Sequence, residues 1–319
     1  MSIRIVTLLC AFICSGAFAG TLTTNHNSAA PDGSERYYDL YIPDNLPPAS
    51  PLVVLLHGAT YADSTVFNSS DPASVWKSVA DQNGVIVVAP NGTNPLSGKT
   101  DSSSAYWNDC TGETVVGKDT ADDVGFIRAL VSKLVATYGV DPSQVYATGM
   151  SNGAMMALRL GREAGDVFAA IESTSGLDPR SAQDQCHDLG VAEPLMLVQG
   201  DADTLVNYKG NCPLLGICFS SFDQTVAAWL ARNGATGAIP TDAPVPPSGS
   251  NTNNTSVDCK LYPGQTSVAV EACTVHNGGH TEPSILVSLG LSQLVFGSQN
   301  RDLETAKASW QFFAAHKHQ

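Results

Sequence analysis

Ser151 lies in the run Gly149-Met150-Ser151-Asn152-Gly153, between a strand-like stretch ending at Thr148 and a helix beginning near Ala154. A serine so placed sits on a sharp strand-to-helix turn that exposes its hydroxyl, and glycines flank it because side chains there would collide with neighbouring backbone. The chemistry this allows is attack on a carbonyl, which needs a base to take the hydroxyl proton and a carboxylate to hold that base in one tautomer. The expected chain order is serine, acid, histidine. Of the seven histidines, His26 and His57 precede the serine and His187 precedes the next apolar strand, which leaves His276, His280, His316 and His318. His280 is the candidate base, because it follows Gly278-Gly279 in a loop just past a strand. His276 reads as a strand-end residue paired with backbone, and the last two lie at a fraying terminus. For the acid, Leu195 to Val198 runs into Gln199-Gly200-Asp201-Ala202-Asp203, and spacing alone leaves Asp201 and Asp203 both open. The developing oxyanion needs two N–H donors. Asn152 would supply one and Ala59, in the loop His57-Gly58-Ala59-Thr60, the other, with Thr60 as the alternative. His57 then shapes the loop and is not the base.

These residues must be positioned by a regular frame, and the apolar pattern supplies one. Strands are predicted over Arg36 to Ile42, Pro51 to Leu56, Val85 to Ala89, Val145 to Thr148, Ala169 to Ser173, Leu195 to Val198 and Ser267 to Val275. Helices are predicted over Ser74 to Gln82, Asp122 to Tyr138, Met155 to Leu160, Phe222 to Arg232 and Asp302 to Ala315. Buried strands alternating with amphipathic helices predict an α/β fold, a mostly parallel sheet with helices on both faces. Between Gly234 and Val257 the chain is rich in Pro, Ser, Thr and Asn without an apolar period, so an excursion from the sheet is expected there. Asp122-Asp123 opens a helix, where acids favour the positive end of its dipole. Gly98-Lys99-Thr100 lacks the preceding glycine and the following helix of a phosphate loop.

The chain has 319 residues, 43% of them hydrophobic, which suits a large packed core and excludes disorder as its main description. A formal charge of -14 from 16 Lys+Arg against 30 Asp+Glu excludes nucleic acid as an expected partner. Arg4, the apolar run Ile5 to Ile13 and Ala17-Phe18-Ala19 read as a signal peptide over residues 1–19, too short to anchor in a membrane. Residues 20–319 are expected to form a single catalytic domain, secreted or periplasmic, with no membrane partner. Beyond that leader six cysteines remain, Cys110, Cys186, Cys212, Cys218, Cys259 and Cys273, an even number that reads as disulfides in an exported chain. Short loop closure favours Cys212 with Cys218 and Cys259 with Cys273, leaving Cys110 for Cys186. No C-x-x-C pair and no suitably spaced histidine accompany them, so neither a metal nor another cofactor is expected.

Taken together, the motifs resemble the secreted esterases similar to polyhydroxybutyrate depolymerases, a family that includes feruloyl and acetylxylan esterases of carbohydrate esterase family 1. The resemblance runs from Tyr38 to His316. It rests on Leu56-His57-Gly58, Asp122-Asp123-Val124-Gly125-Phe126, Val145 to Gly153, Gln199 to Asp203 and Gly278-Gly279-His280-Thr281. It implies an α/β-hydrolase fold, a serine carboxylic-ester hydrolase working through an acyl-enzyme, and Asp203 as the acid. The implied substrate is an oligomeric or polymeric ester of hydroxyalkanoate type, with a feruloyl or acetylxylan ester as the alternative. A non-catalytic exported binding protein of this fold is the competing class, but it should lack a triad member, and all three positions are filled. Two departures bear on substrate: Gln199 stands where the family commonly has His, and Glu282 where it has Trp after the histidine loop. Glu282 would place a negative charge beside His280. Trp107 would replace the lost aromatic platform or else cover the Cys110 region. The polar excursion gives no hydrophobic lid for long acyl chains, and the chain's close at His318-Gln319 leaves no adsorbing module, so small esters are expected ahead of crystalline polymer.

Overall fold

A computed structural model describes residues 20–318 apart from 61–62, 101–103, 112, 115–116, 119, 181–183, 211, 213–216, 242–253, 265–267 and 287–294. The expected leader over residues 1–19 and much of the polar excursion lie outside the described residues. Twelve strands are described: β1 (Thr21–Ala29), β2 (Glu35–Ile42), β3 (Leu52–Leu56), β4 (Ile86–Pro90), β5 (Glu113–Thr114), β6 (Gly117–Lys118), β7 (Val145–Met150), β8 (Ala170–Thr174), β9 (Leu195–Gly200), β10 (Ile239–Thr241), β11 (Ser256–Tyr262) and β12 (Val270–His276). The helices are α1 (Asp63–Val66), α2 (Val75–Asn83), α3 (Asp123–Tyr138), α4 (Asn152–Glu163), α5 (Phe222–Asn233) and α6 (Thr305–Ala314).

Ten of the strands form one sheet in the order β1-β2-β4-β3-β7-β8-β9-β12-β11-β10, and β5 pairs with β6 apart from it. From β4 to β12 every neighbouring pair is parallel. Both margins are antiparallel. Parallel strands end on one edge of a sheet, so the loops after β3, β7, β8, β9 and β12 open side by side. That edge is where all the candidate residues fall.

The strands read as apolar runs because both faces are covered. Leu52, Val54 and Leu56 pack on one face with Phe126 and Leu130 of α3, Met156 and Leu160 of α4, and Trp229 of α5. Val53 and Leu55 pack on the other with Trp76 and Val79 of α2 and Phe312 and Phe313 of α6. This is the α/β arrangement expected, with helices on both faces. Asp122 caps α3 by accepting from the Gly125 N–H at 2.8 Å. Asp123 does something the dipole argument did not foresee. Fully buried, it pairs with Arg36 of β2, whose guanidinium lies 4.2 Å from the Phe126 ring centre.

Three strands of the ten-stranded sheet were not anticipated, nor was the short pair β5 and β6. β1 is an exposed polar margin held by pairing with β2, and β10 and β11 return the polar stretch after Gly234 to the opposite margin of the sheet. The excursion is therefore narrower than its composition indicated. Disulfides join Cys110 to Cys186, Cys212 to Cys218 and Cys259 to Cys273. The last links residues directly opposite one another on β11 and β12.

Candidate active site

The turn between β7 and α4 is built by close backbone approach. A Cβ at Gly149 would lie 2.6 Å from the Gly153 carbonyl carbon, and one at Gly153 would lie 2.5 Å from the His57 carbonyl oxygen. Only glycine permits that contact. Ser151 itself takes φ 59° and ψ -123°, a strained conformation for a residue with a side chain, held by its N–H donating to Thr174 O at 2.9 Å. The strain lifts the hydroxyl clear of both elements.

His280 Nε2 lies 2.8 Å from Ser151 Oγ, and its Nδ1 lies 2.8 Å from Asp203 Oδ2. The second contact makes Nδ1 the protonated nitrogen, so Nε2 is free to accept from the serine hydroxyl. Asp203 is almost fully buried and fully engaged: Oδ1 accepts from the Leu205 and Val206 N–H groups at 2.9 Å each, and Oδ2 also accepts from Gln199 Nε2 at 3.1 Å. Gln199, the departure from the family pattern, thus still donates to the acid, and its amide also bonds Val206 O at 2.8 Å.

Asp201 faces elsewhere. It accepts from the Asn277 N–H and pairs with His276 Nδ1 at 3.0 Å, while His276 Nε2 meets Asp258 Oδ2 at 2.8 Å. His276 ends β12 opposite Ser256, as a strand-end residue should, and its ring meets two carboxylates. These bonds, with Ala202 N–H to Gly278 O at 3.0 Å, stitch the loop after β9 to the loop after β12.

Near the serine, Asn152 opens α4, where the N–H has no intrahelical acceptor. The Thr60 N–H donates to Ala105 O at 2.9 Å, while the Ala59 N–H has no acceptor among the described residues. The Thr60 N–H is thus already engaged, and the Ala59 N–H is the one available of the two. His57 donates from Nδ1 to Gly58 O at 2.8 Å and accepts from the Gly92 N–H at 3.0 Å. Burial holds its pKa down to about 4, so the ring is neutral and braces the loop.

Trp107 is not at an open surface. Fully buried, it does not line the cavity and offers no platform to a substrate. Its indole N–H donates to His57 O at 3.0 Å, and its backbone exchanges bonds with the Asn152 side chain, N–H to Oδ1 at 2.7 Å and Nδ2 to O at 3.0 Å. Asp109 Oδ2 takes the other Asn152 amide proton at 2.9 Å. Trp107 therefore braces the two loops that carry the Ala59 and Asn152 N–H groups.

A cavity of about 470 Å³ opens beside Ser151 and His280 and runs between the sheet and the helical layer of α2 and α6. Glu282 is in its wall, along with Asp71, Trp76, Glu172 and Phe296. Burial, reinforced by Asp71, Glu172 and Glu304, holds the Glu282 carboxyl well above the usual range. The upward shift works against the negative charge expected there. Glu172 was passed over in the sequence, although an acid inside the apolar run Ala169 to Ser173 was a signal. Its carboxyl accepts from the hydroxyls of Thr148 and Thr174.

Burial pushes Glu172 up to about 7 from an ordinary 4.5. The folded state then binds a proton the unfolded chain has lost, so this group costs stability as pH rises from about 4.5 to about 7. Glu172→Gln keeps hydrogen-bonding capacity without titrating. It should exceed the parent protein by roughly 2 kcal/mol at about pH 8 and nearly match it at about pH 5. Urea unfolding at both pH values is the check, and a difference independent of pH would remove Glu172 as the titrating group.

Residues 36–228 match the family described as esterase PHB depolymerase. The chain is 33% identical over 187 residues to the poly(3-hydroxybutyrate) depolymerase of Ralstonia pickettii, covering 54% of this chain and 36% of that protein. It is 32% identical over 177 residues to feruloyl esterase B of Talaromyces stipitatus, covering 56% of this chain and 45% of that one. The chain thus spans less than half the length of these two relatives. Among solved structures, the acetyl xylan esterase from Aspergillus awamori has the same fold with a TM-score of 0.57 at 17% identity, over 83% of this chain and 96% of that one.

Proposed function

The chain belongs to the PHB depolymerase family of esterases, carboxylic-ester hydrolases, and from that premise we propose that Ser151, His280 and Asp203 hydrolyse esters through an acyl-enzyme. The observation that carries this reading is the unbroken relay of two 2.8 Å contacts from Asp203 through His280 to the Ser151 hydroxyl. Ser151 Oγ attacks the ester carbonyl carbon as its proton passes to His280 Nε2, and the carbonyl π electrons move onto oxygen. The Ala59 and Asn152 N–H groups receive that oxyanion. Collapse breaks the bond to the alcohol, which leaves with the proton from His280. A water then repeats the sequence on the acyl-enzyme, releasing the acid and restoring the serine. Asp203 holds the ring in place and stabilises the imidazolium.

The protein is read as exported, since three disulfides suit an oxidising compartment. For substrate, the depolymerase relative favours hydroxyalkanoate oligomers, and the partly apolar cavity accommodates short acyl groups. The feruloyl esterase relative supports a second reading, in which Phe296 of the cavity wall receives an aromatic acyl group. A side-by-side panel of hydroxybutyrate oligomers, methyl ferulate, acetylated xylan and short p-nitrophenyl esters tests both. Hydroxybutyrate oligomers should give the highest kcat/KM among the natural esters. Turnover confined to methyl ferulate or acetylated xylan would replace the first reading with the second.

A further inference from the structure

The cavity beside Ser151 has a composition that simple ester hydrolysis does not require. Three carboxyl groups line it, Asp71, Glu172 and Glu282, and among the described residues no lysine or arginine does. The partly exposed ring of Phe296 shares the wall, while Trp76 behind it is almost fully buried. The Glu172 carboxyl is fully buried and has a single hydroxyl on each oxygen, which leaves about half of a carboxylate's acceptor capacity unused. Asp71 spends one oxygen on the Ala73 N–H and has the other unengaged among the described residues. Glu282 has no hydrogen-bond donor or ion-pair partner among the described residues. An unpartnered carboxyl on a half-buried cavity wall is poorly solvated, and its neighbours here are two more acids. Nothing described in the protein compensates it.

Carboxylates and an aromatic ring around one concave space are groups that stabilise an organic ammonium ion. The acids supply charge, and the Phe296 ring supplies a negative quadrupole. We infer that this cavity receives an ammonium-bearing arm of an ester whose carbonyl lies at Ser151, so that the protein hydrolyses cationic esters in preference to uncharged ones of equal shape. The inference rests on the serine-esterase reading and extends it to a further substrate class. The charge on the ligand supplies the cation that these acids lack among the described residues. With a cation present, the carboxylate form of Glu282 becomes favourable and its proton leaves to solvent. The reaction itself is unchanged, with water cleaving the ester to acid and alcohol.

Two isosteric pairs test the inference. The first is butyrylcholine against the ester in which tert-butyl replaces trimethylammonium. The second is the phenyl ester of γ-trimethylammoniobutyrate against its carbon isostere. In one pair, kcat/KM for the cation should exceed that for the isostere by about tenfold, the scale of a desolvated ammonium–aromatic contact. The pair that responds tells whether the cavity holds the alcohol or the acyl side. Glu282→Gln should lower that ratio about tenfold, and Asp71→Asn should lower it in the same direction. The second variant and the unmodified protein decide the matter if Glu282→Gln fails to fold. A ratio at or below one in both pairs overturns the inference, and so does a preference that survives both variants. Those outcomes leave ester hydrolysis standing, because the isosteres are still cleaved. Failure to cleave all four compounds and p-nitrophenyl butyrate strikes the serine-esterase reading first, and this inference falls with it.

Discussion

Ser151→Ala is expected to fold normally and to lose about 10³-fold or more of its ester turnover. The loss is large because serine, histidine and acid act as a unit, leaving only binding and oxyanion donors to assist water. Normal folding is expected because the Ser151 side chain caps no helix and its one described contact is with His280. The strained turn is held by backbone, through Gly149, Gly153 and the bond to Thr174, and alanine disturbs none of these. Purified variant assayed beside the parent, with urea unfolding to compare stability, makes the test. Turnover within tenfold of the parent would end the role assigned to the serine.

Asp203→Asn should be nearly as severe, about 10³-fold or more, whereas Asp201→Asn should change turnover by no more than about threefold. Asp203 accepts four N–H groups, from Leu205, Val206, Gln199 and His280. An amide offers one acceptor oxygen, so its NH₂ must face donors on one side. Turned toward His280, the NH₂ forces the proton onto Nε2, where it blocks transfer from Ser151. Turned toward the loop, it leaves the Leu205 and Val206 N–H groups buried without an acceptor. Asp201 meets only His276 and Asn277, and its amide can still accept from the Asn277 N–H. Measured kcat for the two variants decides between them, and the reverse ranking would exchange their roles.

Ser151 and His280 were legible because glycine patterns mark them and both follow apolar strands, features that need no knowledge of tertiary structure. The choice of Asp203 over Asp201 was not legible from spacing. Both lie past the same strand, and what separates them is that Asp203 turns under the imidazole while Asp201 turns outward to His276. The family pattern made that distinction, and the residues alone did not. Margins of the sheet were lost for a related reason. β1 and β10 are polar or largely exposed, so their strand character comes from pairing. β11 did carry a signal, the alternation Val257-Cys259-Leu261, but it begins where the polar composition ends. The charge state of Glu282 could not be read at all, because Asp71, Glu172 and Glu304 reach it from distant parts of the chain.

The loops that meet at Ser151 come from β3, β7, β9 and β12, and the serine and its base are 129 residues apart in the chain. No short fragment of contiguous sequence contains the relay. Loop-closure entropy must be overcome across most of the sheet before His280 meets Ser151, so the site belongs to the late, cooperative part of assembly. Fraying at β1 or β10 leaves those four strands paired, and local opening there is silent. Loss of β8 or β9, which lie between β7 and β12, parts Ser151 from His280. Enzymatic activity in this protein is therefore a readout of the integrity of its central sheet.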